Sequence, residues 1–74
     1  YEDQRELDQL PGRIESLAAE IAKLETALSD PGFYSRDPAG FEAATTRLAA
    51  ARNEQAAAEE RWLELAAMAE ELAR

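Results

Sequence analysis

LDQLPGRIESLAAEIAKLETAL, residues 7–28, decides the fold. Its aliphatic residues Leu7, Leu10, Ile14, Leu17, Ile21, Leu24 and Leu28 are separated by gaps that alternate between three and four. On a helix that spacing draws a single narrow stripe, the a/d seam of a coiled coil, sustained for three heptads. A stripe this narrow leaves water only by meeting a partner helix, and the rest of the chain offers one.

The expected first helix runs from about residue 2 to 29. Pro11 and Gly12 fall inside it. Proline removes one helical hydrogen bond and crowds the preceding turn, which predicts a kink or a short break near Leu10. The seam spacing continues through that point, so the two pieces stay roughly collinear. Punctuation arrives with SDPGFYSRDPAG, residues 29–40. Aspartate before proline is a helix-start signature, with Asp as N-cap and Pro as the first helical residue. Asp37-Pro38 is expected to open the second long helix. Asp30-Pro31 is expected to open one turn holding Phe33 and Tyr34, in an ordered aromatic loop over 30–37. The second helix, about 38–73, has the poorer seam Phe41, Ala44, Leu48, Ala51, Gln55, Ala58, Trp62, Leu65, Ala69, Leu72. Its alanines let the two backbones approach closely. Gln55 is its single polar member, read as register control.

Charge tests this pairing. In an antiparallel hairpin turning near Tyr34, Leu7 lies near Trp62 and Ile21 near Leu48, and g positions face g positions. The facing pairs are then Glu6 with Arg61, Arg13 with Glu54, and Glu20 with Arg47, all opposite in sign. Sliding one helix by a heptad in either direction brings like charges together. The pairs therefore select register more than they stabilise the fold. The expectation is all-α, a two-helix antiparallel coiled-coil hairpin forming a single domain over residues 1–74. The linker is long enough for a monomer to close, while a swapped dimer would use the same pairs.

Composition narrows the function. The chain has 74 residues, no cysteine and no histidine, so it offers no disulfide, no thiolate metal site and no imidazole base. No apolar run approaches the roughly 20 residues needed to span a bilayer, and no signal peptide is visible. With no methionine at its start, the chain reads as a piece of a larger cytoplasmic protein. Net charge is −8, which opposes nonspecific attraction to nucleic acid or anionic membrane. The charge is uneven. Residues 1–20 hold six acids and two bases, residues 54–74 the same, and residues 21–53 four of each. A folded-back hairpin gathers both acidic ends at its base and leaves a neutral tip.

No catalytic constellation emerges. No carboxylate occupies a seam position, and there is no calcium loop, glycine-rich phosphate cradle or nucleophile with a base. The acids read as a solvated face, with Asp30 and Asp37 as helix caps. Trp62 reads as a core anchor opposite Leu7 and Leu10, against the alternative of a ligand-stacking platform. Phe33 and Tyr34 read as a plug at the tip, against the alternative of base stacking or docking. Arg13, Arg47 and Arg61 have expected carboxylate partners, whereas Lys23, Arg36 and Arg52 have none. All three of the latter fall in the tip half. They are the candidates for phosphate contact, with Arg47 fourth, against the alternative of ordinary solvated cations.

Three segments carry a resemblance: QRELDQLPGRIESL near the start, DPGFYSRDPAGF in the loop and AAAEERWLELAAM near the end. Together they resemble the C-terminal domain of Uup-type ABC-F proteins, over essentially the whole chain. The most specific parts are Gln4 to Pro11 and Glu60 to Leu65. The resemblance implies a parent with two tandem ATP-binding cassettes, ATP and magnesium belonging to those cassettes, and a C-terminal hairpin that binds DNA or assists ribosome-related work. No Walker A or signature loop is present, so this chain is not expected to be an enzyme or to hold a cofactor. The resulting expectation is a non-catalytic accessory domain that presents its tip to DNA or ribosomal RNA. The alternative is a structural or self-association arm packing on its own ATPase core.

Overall fold

The computed structural model describes residues 2–73. Two long helices, α1 (Glu2–Leu28) and α3 (Pro38–Leu72), lie against each other, and the short helix α2 (Phe33–Arg36) packs on α3 at the turn. The result is an all-α hairpin drawn out into a rod of 58 × 15 × 14 Å.

Every seam residue of α1 is withdrawn from water: Leu10 and Leu17 are buried, and Leu7, Ile14, Ile21, Leu24 and Leu28 half-buried. Across the seam α3 buries Leu48, Ala51, Ala58 and Leu65. Ala51 is 0% exposed, which is the close backbone approach that alanine permits. Gln55 is half-buried between Ala51 and Ala58 in the α3 seam. A buried cluster joins Leu10, Ala58 and Leu65, with Leu7 and Ile14 packed against it.

Trp62 departs from its expected role. It is 36% exposed and lies outside that cluster. Two helices enclose a seam from two sides only, so a side chain as large as indole protrudes at the flank. Leu72 departs further, at 87% exposed. In this register the α1 position facing Leu72 precedes the first described residue.

Pro11 neither ends α1 nor divides it, since the helix is continuous from Glu2 to Leu28. Of the two sequence expectations, the break is excluded. The missing amide deprives the Leu7 carbonyl of its usual partner.

The turn is built from the two Asp-Pro pairs, which act differently. Asp37 caps α3, its carboxylate accepting from the Gly40 amide at 3.0 Å with Pro38 at the first helical position. Asp30 does not cap a helix. Its side chain accepts from the Gly32 amide at 3.0 Å, and Gly32 takes the N-cap position of α2 without a side-chain bond. Proline at residue 31 therefore belongs to a turn rather than to the first position of α2. Phe33 and Phe41 meet edge-to-face with ring centroids 5.6 Å apart, and Tyr34 packs edge-on against Phe41 at 5.4 Å. Phe33 and Phe41 are half-buried and close the end of the seam, while Tyr34 keeps 55% of its surface in water.

Candidate nucleic-acid interface

The charged flanks fix which cations remain for a ligand. All three g-to-g pairs form. Arg61 holds Glu6 through Nε at 2.9 Å and Nη2 at 3.1 Å, Arg13 reaches Glu54 at 3.1 Å, and Arg47 grips Glu20 with two bonds of 2.6 Å. Arg47 also donates to Glu54 at 2.9 Å, so Arg13, Glu54, Arg47 and Glu20 make one continuous ladder. Arg61 reaches two further acids, Glu64 at 3.4 Å and Asp3 at 3.8 Å.

The bidentate Arg47 guanidinium holds the Glu20 carboxyl below the ordinary glutamate range, and Arg61 does the same to Glu6. In return the two guanidiniums are driven further from deprotonation. A carboxylate whose folded pKa is depressed stabilises the fold fully above its unfolded value, near 4.5 for glutamate. That stabilisation disappears as pH falls through the lower folded value. Glu20→Gln is therefore expected to lower the melting temperature slightly at neutral pH, with the gap to the unmodified chain closing below about pH 4. A gap that persists at about pH 3 would assign the effect to packing rather than to charge.

The four candidate phosphate contacts were read as mostly unpartnered, and here the structure corrects the sequence. Arg36 folds back over the loop to the Asp30 carboxylate at 2.5 Å. Its guanidinium crosses close to Gly32, so that a Cβ there would lie 2.6 Å from Nη1 and would displace the flexible arginine tip. Arg36 is the main cause of the lowered Asp30 pKa, with the Gly32 amide second. Arg52 pairs with Glu25 at 2.8 Å along the e flank. Arg47 is committed to Glu20 and Glu54. Among the described basic residues only Lys23 and Arg5 lack an ion-pair partner.

Nor do the four candidates converge. Helical spacing puts Arg47 on the g flank, Arg52 on the opposite e flank and Lys23 on the back of α1. Arg36 stands apart in the loop, beside exposed Tyr34. The pairs at Arg36 and Arg52 are open to solvent, and such pairs exchange partners easily. No group of three or more acidic side chains among the described residues is arranged to hold a metal ion. No described helix is long and apolar enough to cross a membrane.

With the geometry in place, comparison with known proteins gives it a context. The sequence profile of the ABC transporter C-terminal domain matches residues 1–67. The chain belongs to this family. Within it, the chain is similar to ATP-binding protein Uup of Escherichia coli (strain K12), 38% identical over 68 residues, which is 92% of this chain and 11% of that protein. It is also similar to two proteins of Haemophilus influenzae (strain ATCC 51907 / DSM 11121 / KW20 / Rd), ATP-binding protein Uup-like and ATP-binding protein Uup. Each is 37% identical over 65 residues, 88% of this chain, and 14% and 10% of those proteins respectively. This ABC transporter C-terminal domain thus spans about a tenth of the length of the curated relatives it matches, and corresponds to the C-terminal domain of a Uup-type ABC protein. No solved structure matches it.

Proposed function

We propose that this domain is the non-catalytic arm of an ABC-F ATPase, and that it meets DNA or ribosomal RNA end-on, with its tip. ATP hydrolysis with magnesium is assigned to the parent's cassettes, acting in the cytoplasm, and the arm itself contributes contact. The observation that carries the reading is the pairing of Tyr34, more than half exposed, with an exposed Arg36 at the neutral end of the rod. An aromatic face beside a guanidinium suits a stacked base and its phosphate.

The net charge of −8 does not forbid this, because of distance. The rod is 58 Å long, several times the screening length of about 8–10 Å at physiological salt. The acidic base is hidden from a ligand at the tip, whereas a broadside approach along the rod would meet it. Lys23 supplies the first phosphate contact. Arg36, released from Asp30, supplies the second, and Arg52 and Arg47 likewise join only by exchanging a carboxylate for a phosphate. With about two contacts, affinity is weak and falls with salt at a log–log slope of about −1.5 to −2.

Titration of labelled duplex and single-stranded oligonucleotides at several salt concentrations tests the reading. Lys23→Glu combined with Arg36→Glu is expected to weaken binding by about tenfold or more. Absence of binding at low salt, or binding indifferent to the double substitution, would remove it.

A further inference from the structure

The two flanks of the hairpin are not alike. Glu6–Arg61, Arg13–Glu54 and Glu20–Arg47 tie the g flank along its length. On the e flank the Glu25–Arg52 pair sets the matching register. One heptad toward the base, Ala18 comes opposite Glu59; a heptad further, Pro11 comes opposite Ala66. Neither of these positions brings a cation, so the e flank is tied only near the tip. Trp62 lies where the tie is missing. Its seam layer faces Leu10, and helical spacing places it on the same side as Glu59, three residues before, and Ala66, four residues after. Trp62 and the adjacent Leu63 are exposed, as is Pro11 on the facing helix, and Ala66 is half-buried. Both helices run past this level, so the exposure belongs to the flank itself.

Charge decides what suits such a surface. Its apolar residues are bordered by Asp8 and Glu15 of α1 and Glu59 of α3, and the e and b positions of residues 8–18 and 56–66 hold no base. Glu15 and Glu59 have no ion-pair partner among the described residues. Arg13 and Arg61, the nearest bases along the chain, are engaged on the opposite flank. Nucleic acid and anionic lipid are repelled by this border, and a second copy would set carboxylates against carboxylates. A guanidinium meets both needs: it stacks on an indole face and bonds a carboxylate with its planar fork. We propose that this flank docks an arginine-bearing segment of a protein partner, the guanidinium laid on Trp62 and bonded to Glu59, an adjoining aliphatic side chain resting on Leu63 and Ala66. The tip reading plays no part in this, because the surface lies in the base half of the rod.

Trp62 is the single tryptophan of the chain, so its fluorescence reports on this flank alone. The probe is a short capped peptide of alternating arginine and leucine. Versions with lysine or with neutral citrulline in place of arginine are the controls. The arginine peptide is expected to give a saturable change in Trp62 emission, the lysine peptide to bind about threefold more weakly, and the citrulline peptide to give no saturable change. Glu59→Gln is expected to cost the arginine peptide about threefold. Glu60→Gln removes the same charge from the next residue, on the outer face of α3, and is expected to cost less than about 1.5-fold. Equal losses at the two positions would reduce the effect to net charge and overturn the proposal. So would an unmoved Trp62 signal, or lysine or citrulline peptides that bind as well as the arginine one. A signal that follows protein concentration without peptide would assign the flank to a second copy instead.

Discussion

Leu65→Ala is expected to remove about 2–3 kcal/mol of unfolding free energy and to lower the melting temperature by about 10–20 °C. Leu65 is 2% exposed and belongs to the buried cluster with Leu10 and Ala58. Truncation there forfeits burial and leaves a cavity. The cost stays in the lower half of the usual range because a seam of two helices can partly collapse around the void. A domain of this length holds on the order of 4–11 kcal/mol in total, so the loss is a large fraction. Leu72→Ala is the matched control. Both leucines belong to the same heptad stripe, but Leu72 is 87% exposed and its truncation is expected to stay within about 0.5 kcal/mol. Denaturant titration of both variants reads the difference as a shift in midpoint at unchanged slope. Similar losses at the two positions would mean that the seam is closed to the end of α3, against the exposure of Leu72.

That contrast marks how far the sequence could be read. Periodicity gave the seam of α1 completely, and the g-position charges gave the register, because both depend only on helical geometry. The Arg52–Glu25 pair was missed although it obeys the same geometry. In an antiparallel pair e positions face e positions just as g faces g, and that flank carried the signal. The Arg36–Asp30 pair had no comparable signal, since it depends on how the loop doubles back over Gly32. Assigning Asp30 as a helix cap also hid its free oxygen. Trp62 and Leu72 show the limit of a periodic pattern. Spacing states which face a residue occupies, but not whether the facing helix is wide enough to cover an indole. The candidate phosphate contacts failed to converge for a related reason. Membership of the tip half says nothing about the side of the rod, and Lys23, Arg47 and Arg52 lie on three different sides.

Pro11→Ala is expected to stabilise the hairpin by about 2 kcal/mol, raising the melting temperature by about 10 °C. Proline in a helix interior costs about 3 kcal/mol, through the lost hydrogen bond and the clash with the carbonyl one turn earlier. Alanine restores a donor to the Leu7 carbonyl. Against this, the unfolded chain gains freedom without its proline, which takes back up to about 1 kcal/mol. Nothing else is lost, because Pro11 is exposed and contributes to no buried cluster. Gly12→Ala adds about 0.5–1 kcal/mol by the same logic, since a Cβ at Gly12 meets no atom within 4 Å. The size of the gain reports on more than stability. It is available only if residues before Pro11 are helical in the folded state, because a frayed N-terminal stretch has no Leu7 bond to restore. Those same residues supply Glu6 to Arg61 and Leu7 to the flank of the buried cluster. A Pro11→Ala variant that melts no later than the unmodified chain would therefore indicate that α1 begins after Pro11.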